Sequence, residues 1–553
     1  MNNNTYDAIV VGSGASGSIA VKELTEKGLN VLLLEAGPYL GKKDFPNNEK
    51  ASQKIKGIDF FDRAKITLSG QPIQARATYM SKEFKHLFVN DLQNPYTTPK
   101  GQYYLWLRGR QLGGRLHTYG RVLLRMSDLD FKAASYDGFG ENWPICYNDL
   151  SPYYDKIEEF LGVYGTKEGI SNLPDGKYVQ EPILTTPEKE FKSFVEANSE
   201  AKVITWRFSE PNLERIPKGV IAAQKTKLLT LVTDAVVSRI ITDPNTGKAT
   251  GIEYKDRHTK EVILVHAKVV MLCASAIESV RILLNSSSSK HPHGLGNSTG
   301  MLGKYFLEQT PSLIAGRVPQ SKGYEIDTTV TQDPFCRPTG GIYIPRFKNV
   351  ESQSGEFKRG FGYQGVVGRG YVPEDQPAQF GLMGFGEMLP NINNTITLNP
   401  KKKDAWGIPV AHIDCKFSQN ELALIKEQTR WVKQMALDKG YEIDFCGNAL
   451  GLDPSSDVYP NESWITRTIF RLGFSKSMGI GAAIHESGGA RMGHDPSMSV
   501  LNEYNQVWDA PNVFVTDGAC FVTSGSVGPT LTMMAITARA CDFISKQLEA
   551  RQL

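Results

Sequence analysis

Residues 6–17, YDAIVVGSGASG, decide the fold. Tyr6 to Gly12 is a short apolar run closed by glycine, the pattern of a strand buried on both faces of a parallel sheet. From Ala15 to Lys27 the spacing of Ala15, Ile19, Ala20 and Leu24 fits one helix face, which Gly28 stops. Asn30 to Glu35 reads as a second buried strand, completing a βαβ unit. Between strand and helix lies Gly12-Ser13-Gly14-Ala15-Ser16-Gly17, in the context a dinucleotide fingerprint requires. Gly12 makes the tight turn, Gly14 lets backbone approach a pyrophosphate, and Gly17 lets helix and strand pack closely. The helix N-terminus offers free N–H groups to phosphates. Glu35, at the end of the second strand, is placed to accept hydrogen bonds from ribose hydroxyls and to repel a 2′-phosphate. The fingerprint alone does not separate NAD from FAD.

Outward from this unit, 553 residues are too many for one ordinary core, so a cofactor unit and a substrate unit are expected. Apolar residues at 40% and charged residues at 22% are those of a globular protein. A net charge of +3 supplies no field for a polyanion, so nucleic acid is not an expected partner. No run of eighteen apolar residues occurs, and MNNNTYDAIV is not an export signal. The expectation is no membrane segment and a cytoplasmic location by default, periplasmic only if a partner subunit carries the chain. The seven cysteines are scattered and never spaced as Cys-x-x-Cys, which points to buried free thiols rather than disulfides or zinc.

Along the chain, residues 38–105 are polar, with scattered Pro and Lys, and read as long excursions. Trp143 to Tyr164 reads as a loop entering a helix capped near Asn148 or Ser151, with Pro152 in its first turn. Residues 229–273 read as a strand meander closing on the buried strand Val269 to Cys273, followed by a helix from Ala276 to Leu284. Between about 310 and 475, alternating stretches such as GGIYIPRF and FGLMGFGEML have the texture of an antiparallel sheet with one wet face, its other face covered by a helix from Gln419 to Ala436. Val513 to Asp517 and Thr530 to Leu548 return to strand and helix. The expected fold is α/β: a Rossmann-like dinucleotide domain built from both chain ends (1–310 and 476–553), with an inserted antiparallel substrate domain (311–475). Excursions at about 38–105 and 150–225, counted here with the dinucleotide domain, are the parts that could instead belong to the substrate side.

The last hundred residues carry His485-Glu-Ser-Gly-Gly-Ala-Arg-Met-Gly493, then Pro511-Asn-Val-Phe-Val-Thr-Asp-Gly518, then Pro529-Thr-Leu-Thr-Met-Met-Ala-Ile-Thr-Ala-Arg-Ala540. Arg110-Gln-Leu-Gly-Gly-Arg115, Trp143-Pro144, Ala274-Ser-Ala-Ile-Glu-Ser279 and Asn399 to Pro409 accompany them. In order and spacing this closely resembles the glucose-methanol-choline oxidoreductase family, and within it the bacterial sugar-oxidising branch of glucoside 3-dehydrogenases and pyranose oxidases. The resemblance implies FAD. Its adenosine would be held by Gly12, Gly14, Gly17 and Glu35, with the strand Leu231 to Val237, including Val236, near the adenine. Asp517 and Gly518 would lie by the pyrophosphate and ribityl chain, and Gly113 and Gly114 near the isoalloxazine. Ser13, Ala15, Ser16, Ala36, Arg110, Ala274, Ser275, Pro529 and Thr530 complete the implied cofactor set. Asp517 fits beside a phosphate only by accepting from ribityl hydroxyls or backbone N–H groups.

His485 occupies the position of the family's catalytic histidine, and imidazole titrates near enough to neutrality to take a hydroxyl proton as hydride leaves for flavin N5. Two departures stand out. The family's second polar residue, Asn or His before the last helix, is Gly528, which has no side chain to orient a substrate oxygen. Thr118 stands where relatives with covalent flavin carry histidine, and His117 falls one residue early, so FAD is expected to be non-covalent. Candidate substrate contacts are Tyr343, Arg346, Tyr363, Gln364 and Glu387, polar groups set among aromatics as sugar sites require, together with Gly528 itself.

The expected activity is oxidation of a sugar or glycoside hydroxyl, as at pyranose C3, with oxygen, or a small partner subunit and a cytochrome or quinone, receiving the electrons. Gly525-Ser-Val-Gly528 also resembles the matching turn of cholesterol oxidases, which leaves a sterol or aliphatic alcohol oxidase open. A non-redox, lyase-like role follows if Gly528 has changed the chemistry.

Overall fold

The N-terminal apolar run forms the strand Thr5–Val11, buried from Ala8 onward, at the centre of an eight-stranded sheet. The computed structural model describes residues 5–45, 60–77, 80, 83–333, 339–353, 355–460 and 462–553. Across the sheet the order is Gln506–Val507, Ala510–Val515, Val262–Leu272, Thr5–Val11, Val31–Leu34 and Leu229–Val232. The pairs from Ala510–Val515 to Leu229–Val232 are parallel, in a register that places Val11 opposite both Leu34 and Leu272, and Leu272 opposite Val515. Ala8, Val10, Val31, Leu33, Val269 and Met271 point to one core, with Val21 and Leu24 of the helix Ala15–Glu26 and Ile544 of the C-terminal helix. Ile9, Val11, Leu32, Leu34, Val270 and Leu272 point to another, against Ile277 and Val280. Both faces are dry, which is why these strands read as unbroken apolar runs rather than alternating ones.

The two chain ends therefore build one layer. The helix Thr530–Glu549 packs on Ala15–Glu26, and Ser16 Oγ donates to Thr516 O across 500 residues of sequence. Ala235–Thr242 and Ala249–Asp256 extend the sheet as an antiparallel meander onto Val262–Leu272.

A second, seven-stranded antiparallel sheet has the order Gly451–Leu452, Glu442–Asn448, Gln309–Lys322, Pro377–Glu387, Phe361–Val367, Ile342–Ile344, Ile204–Thr205. The helix Gln419–Asp438 starts at Ser418, whose hydroxyl accepts from Asn420 N while Glu421 reaches back to Ser418 N, and it covers one face. The opposite face is half-buried at Leu313, Ala315 and Arg317 and exposed at Gln379, as its alternation predicts, and is dry only at the end that carries Gln309 and Phe385. There it is turned onto the C-terminal segment between His485 and Gly528, which its polar side chains engage.

Two readings are corrected. The helix expected to start near Asn148 or Ser151 spans Tyr147–Leu161: Asp149 accepts from Cys146 N, starting the helix earlier, and Pro152 falls inside it. Leu231 to Val237 is not one strand, because Asp234 at φ 57 breaks it into Leu229–Val232 and Ala235–Thr242. Within 38–105, a helix Phe60–Leu68 and short turns are tied down by side chains: Gln71 Nε2 donates to Phe88 O, and Gln74 Nε2 to Asp91 and Trp106 O. Such contacts have no sequence period. Six cysteines are free thiols, all buried except Cys146; Cys336 lies outside the described residues. No described helix is long and apolar enough to cross a membrane, and no metal-binding cluster occurs among the described residues.

Candidate active site

The fingerprint glycines are fixed by backbone. Gly12 takes φ +94, and a Cβ there would stand 2.5 Å from Cys273 O. A Cβ on Gly17 would stand 1.8 Å from Gly12 O, so helix and turn touch only because it is glycine. At Gly14 nothing lies within 4 Å, so the turn is closed on one side and open on the other. The helix beginning at Ala15 carries no acidic residue in its first turn. Buried Glu35 accepts from Ser13 N at 3.2 Å, Ser13 Oγ at 2.5 Å and Gly37 N at 2.9 Å. Burial raises its pKa, and these donors oppose the rise. Ser13 Oγ in turn accepts from Gly113 N at 2.9 Å, joining the fingerprint to the loop of Gly113 and Gly114, at φ +90 and +51. Ala36 and Val236 pack together with Trp406 beside Glu35. The Arg110 guanidinium is engaged by Asn94 Oδ1 and Glu278, which leaves its backbone, packed on Gly37, to border the cradle.

Two helix starts face the same region. Ser275 precedes the helix Ala276–Asn285 at φ 80, ψ 155, a conformation otherwise used almost only by glycine. Ala274 N donates to Ser279 Oγ. Ser279 Oγ donates to Asp517, whose other oxygen accepts from Ala519 N. Burial pushes the Asp517 carboxyl up to about 6. The segment after it runs beside the histidine motif: Gly488 N donates to Gly518 O and Ala490 N to Ala519 O. Pro529 and Thr530 then open the C-terminal helix.

His485 follows Ile484, a β-branched residue at φ 61, where strain is expected only if the surroundings impose it. Arg115 reaches across from the double-glycine loop to Ile484 O and Glu486, gripping both neighbours of the histidine. Glu308 Oε1 accepts from His485 N and Gln309 N, each at 2.9 Å. Burial, with Glu486 nearby, raises the Glu308 pKa. The imidazole stacks on Phe385 at 4.9 Å, and its Nδ1 lies 2.6 Å from Gln309 Oε1. Its Nε2 faces Gly528, 3.7 Å from where a Cβ on that glycine would stand. The imidazole thus stands directly opposite Gly528. Burial, then the Arg115 charge, pushes the His485 pKa down to about 3, so the ring is neutral at pH 7.

Strand alternation sorts the predicted substrate residues. Tyr343 and Gln364 are register partners on the face turned to the site, and Tyr343 Oη donates to Ser526 O at 3.4 Å. Tyr363 points the other way, stacked on Trp431 with its hydroxyl on Gln428 O. Glu387 is fully buried and paired with Arg359, which also holds Asp137; Arg346 lies beside Glu387 and donates to Lys348 O. Tyr363, Arg346 and Glu387 therefore hold the structure together rather than line the site. Sequence reasoning missed Phe385, Gln309, Glu308 and Arg115. The usable signals were a Glu-Gln pair opening an apolar strand and an arginine directly after Gly113-Gly114.

Residues 218–307 and 390–537 match the two parts of the GMC oxidoreductase family, and residues 10–45 match the NAD(P)-binding Rossmann-like domain. The chain belongs to the GMC oxidoreductase family. This GMC oxidoreductase is 26% identical to a 2-methyl-1,2-propanediol dehydrogenase of Mycolicibacterium austroafricanum, over 98% of this chain and 95% of the other. It is 24% identical to the fructose dehydrogenase large subunit of Gluconobacter japonicus, over 99% and 100%. The fold is shared with a solved formate oxidase of Aspergillus oryzae at TM-score 0.65 and 13% identity, over 100% and 99%. As a family member it oxidises CH–OH groups of alcohols or sugars with FAD. The residues present fit that cofactor: an open turn at Gly14, a helix N-terminus free of acid, and a buried carboxylate at the strand end.

Proposed function

We propose that this GMC oxidoreductase oxidises a ring hydroxyl of a sugar or glycoside, as at pyranose C3, with His485 as the base. The observation that carries the reading is the neutral imidazole stacked on Phe385 with Nε2 facing the side-chain-free Gly528. FAD, when bound, supplies the hydride acceptor. Gly528 keeps the space beside Nε2 free of any side chain, and Phe385, Gln364 and Tyr343 lie on the same face of the sheet, aromatic and polar groups together, the composition a pyranose requires. Gly12, Gly14, Gly17, Glu35 and the Gly113-Gly114 loop would hold the dinucleotide. The attachment is non-covalent in this reading: His117 Nε2 is committed to Leu112 O at 2.6 Å, and Thr118 Oγ1 donates to Arg115 O. Similarity to a dehydrogenase large subunit favours a partner subunit that takes the electrons onward.

A simple diol is the competing substrate, because one full-length relative is a propanediol dehydrogenase. Holoenzyme mixed anaerobically with D-glucose, D-fructose, methyl glucoside or 2-methyl-1,2-propanediol tests the choice through loss of the flavin absorbance band. Bleaching by a sugar or glycoside is the expected result. Bleaching by the diol alone would overturn the sugar assignment.

A further inference from the structure

Gln309 begins the strand Gln309–Lys322 and is fully buried. Its Nε2 lies 3.3 Å from Ser524 O, 2.7 Å from Gly525 O and 3.0 Å from Val527 O. Carbonyl oxygens only accept, so the end of the amide facing them must be the NH2 group. The other end is then an oxygen, and it stands 2.6 Å from His485 Nδ1. An amide oxygen only accepts as well, so Nδ1 must carry the proton and Nε2 must present its lone pair. Nε2 is the atom that faces Gly528.

We propose that Gln309 is the positioning residue of this active site: one amide fixes the tautomer of His485 and, through the carbonyls of Ser524, Gly525 and Val527, sets the distance between the base and the turn that carries Gly528. The inference rests on His485 being the base. It deepens that reading by naming what replaces the missing second polar residue: the substrate oxygen loses a side-chain partner, and the base gains a rigid frame tied to the same turn. The amide does this without adding charge. The charged groups around the pair are Arg115, which grips Ile484 O and Glu486, and Glu308, whose Oε1 takes the backbone N–H of both His485 and Gln309. Phe385 closes the ring face. Histidine and glutamine are thus held by backbone, side chain and stacking together, and a wrong tautomer would set an N–H against the incoming hydroxyl proton.

The test uses 15N-histidine-labelled holoenzyme, with the His485 signals assigned by their loss in His485→Asn. At neutral pH the wild type is expected to show a neutral ring protonated at Nδ1, and Gln309→Leu a ring protonated mainly at Nε2. With whichever of D-glucose, D-fructose, methyl glucoside or 2-methyl-1,2-propanediol bleaches the wild-type flavin, Gln309→Leu should bleach on the order of 10²-fold more slowly, the low end of what general base catalysis contributes. Its half-saturating concentration should change by less than about threefold, since uniform binding is untouched. Gln309→Glu, protonated in acid buffer, keeps one donor and one acceptor and should recover to within about tenfold. Wild-type His485 protonated at Nε2, or Gln309→Leu bleaching at the wild-type rate, would overturn the proposal. Bleaching by His485→Asn at the wild-type rate, with the wild-type tautomer as inferred, would instead sink the parent reading of His485 as base.

Discussion

Replacing Gly528 by alanine should raise stability and lower activity, a split that follows from the geometry. The φ of Gly528 lies outside the left-handed region, and its added Cβ would meet nothing nearer than His485 Nε2 at 3.7 Å and Cε1 at 3.8 Å. The methyl group therefore fits without strain. A strain-free Gly→Ala change stabilises by about 0.4–1 kcal/mol, because the unfolded chain loses freedom. The same methyl narrows the opening where a hydroxyl must come within about 2.6–3.2 Å of Nε2. Displacing a reacting atom by about 1 Å costs on the order of 10²-fold, or about 2.7 kcal/mol of barrier at 1.36 kcal/mol per tenfold. Stopped-flow bleaching of the flavin under anaerobic conditions reads the rate, and thermal unfolding of the same samples reads the stability. A thermal midpoint that holds or rises beside a rate reduced ten- to a hundredfold is expected. Bleaching as fast as wild type would mean the substrate does not approach past Gly528, and the site would have to be redrawn.

Four other outcomes are expected. Gly17→Ala would force a methyl to 1.8 Å from Gly12 O, so the purified variant should be folded but lack the flavin absorbance, as read by the ratio of the flavin and protein bands. Because burial and Arg115 push the His485 pKa down to about 3, the ring stays neutral through the acid range, and bleaching rates should show no acid limb near pH 6.5. The sign for stability is the reverse: between pH 6.5 and 3 the unfolded imidazole binds a proton that the folded one refuses, so this group's effect is to weaken the fold progressively as pH falls below 6.5. Arg359→Met would strand Glu387 and Asp137, both buried, and should cost about 3–5 kcal/mol in denaturant unfolding; a loss under 1 kcal/mol would show that these carboxylates find other partners.

How much was readable varied with how local the cause was. The first strand, its helix, the closing strand and the C-terminal helix were legible, because doubly buried strands and one-faced helices leave runs and periods in the sequence. The substrate face was half legible. Alternation marks which strands are half-faced but not which face meets the site, so Gln364 and Tyr363, adjacent in sequence, were taken together although the strand sends them to opposite sides. Arg346 and Glu387 looked like ligand groups because an ion pair buried between strands and loops has the same composition as a polar site. Gln309 was marked only by the Glu-Gln pair that opens its strand, because its importance lies in three carbonyls more than 200 residues away. Residues 38–105 were opaque for the same reason, held by Gln71, Gln74 and Asp91 rather than by a repeating pattern.

Pairing of Val262–Leu272 with Ala510–Val515 also bears on biosynthesis. At about 5–20 residues per second, the roughly 240 residues between these strands take on the order of 10–50 s to emerge from the ribosome. Throughout that interval the nascent polypeptide displays an apolar edge that lacks its neighbour, a surface on which other chains can add. A cradle that needs both strands cannot close before Ala510–Val515 has been made, and a premature stop ahead of that strand is expected to yield a colourless, aggregation-prone product rather than a slower enzyme.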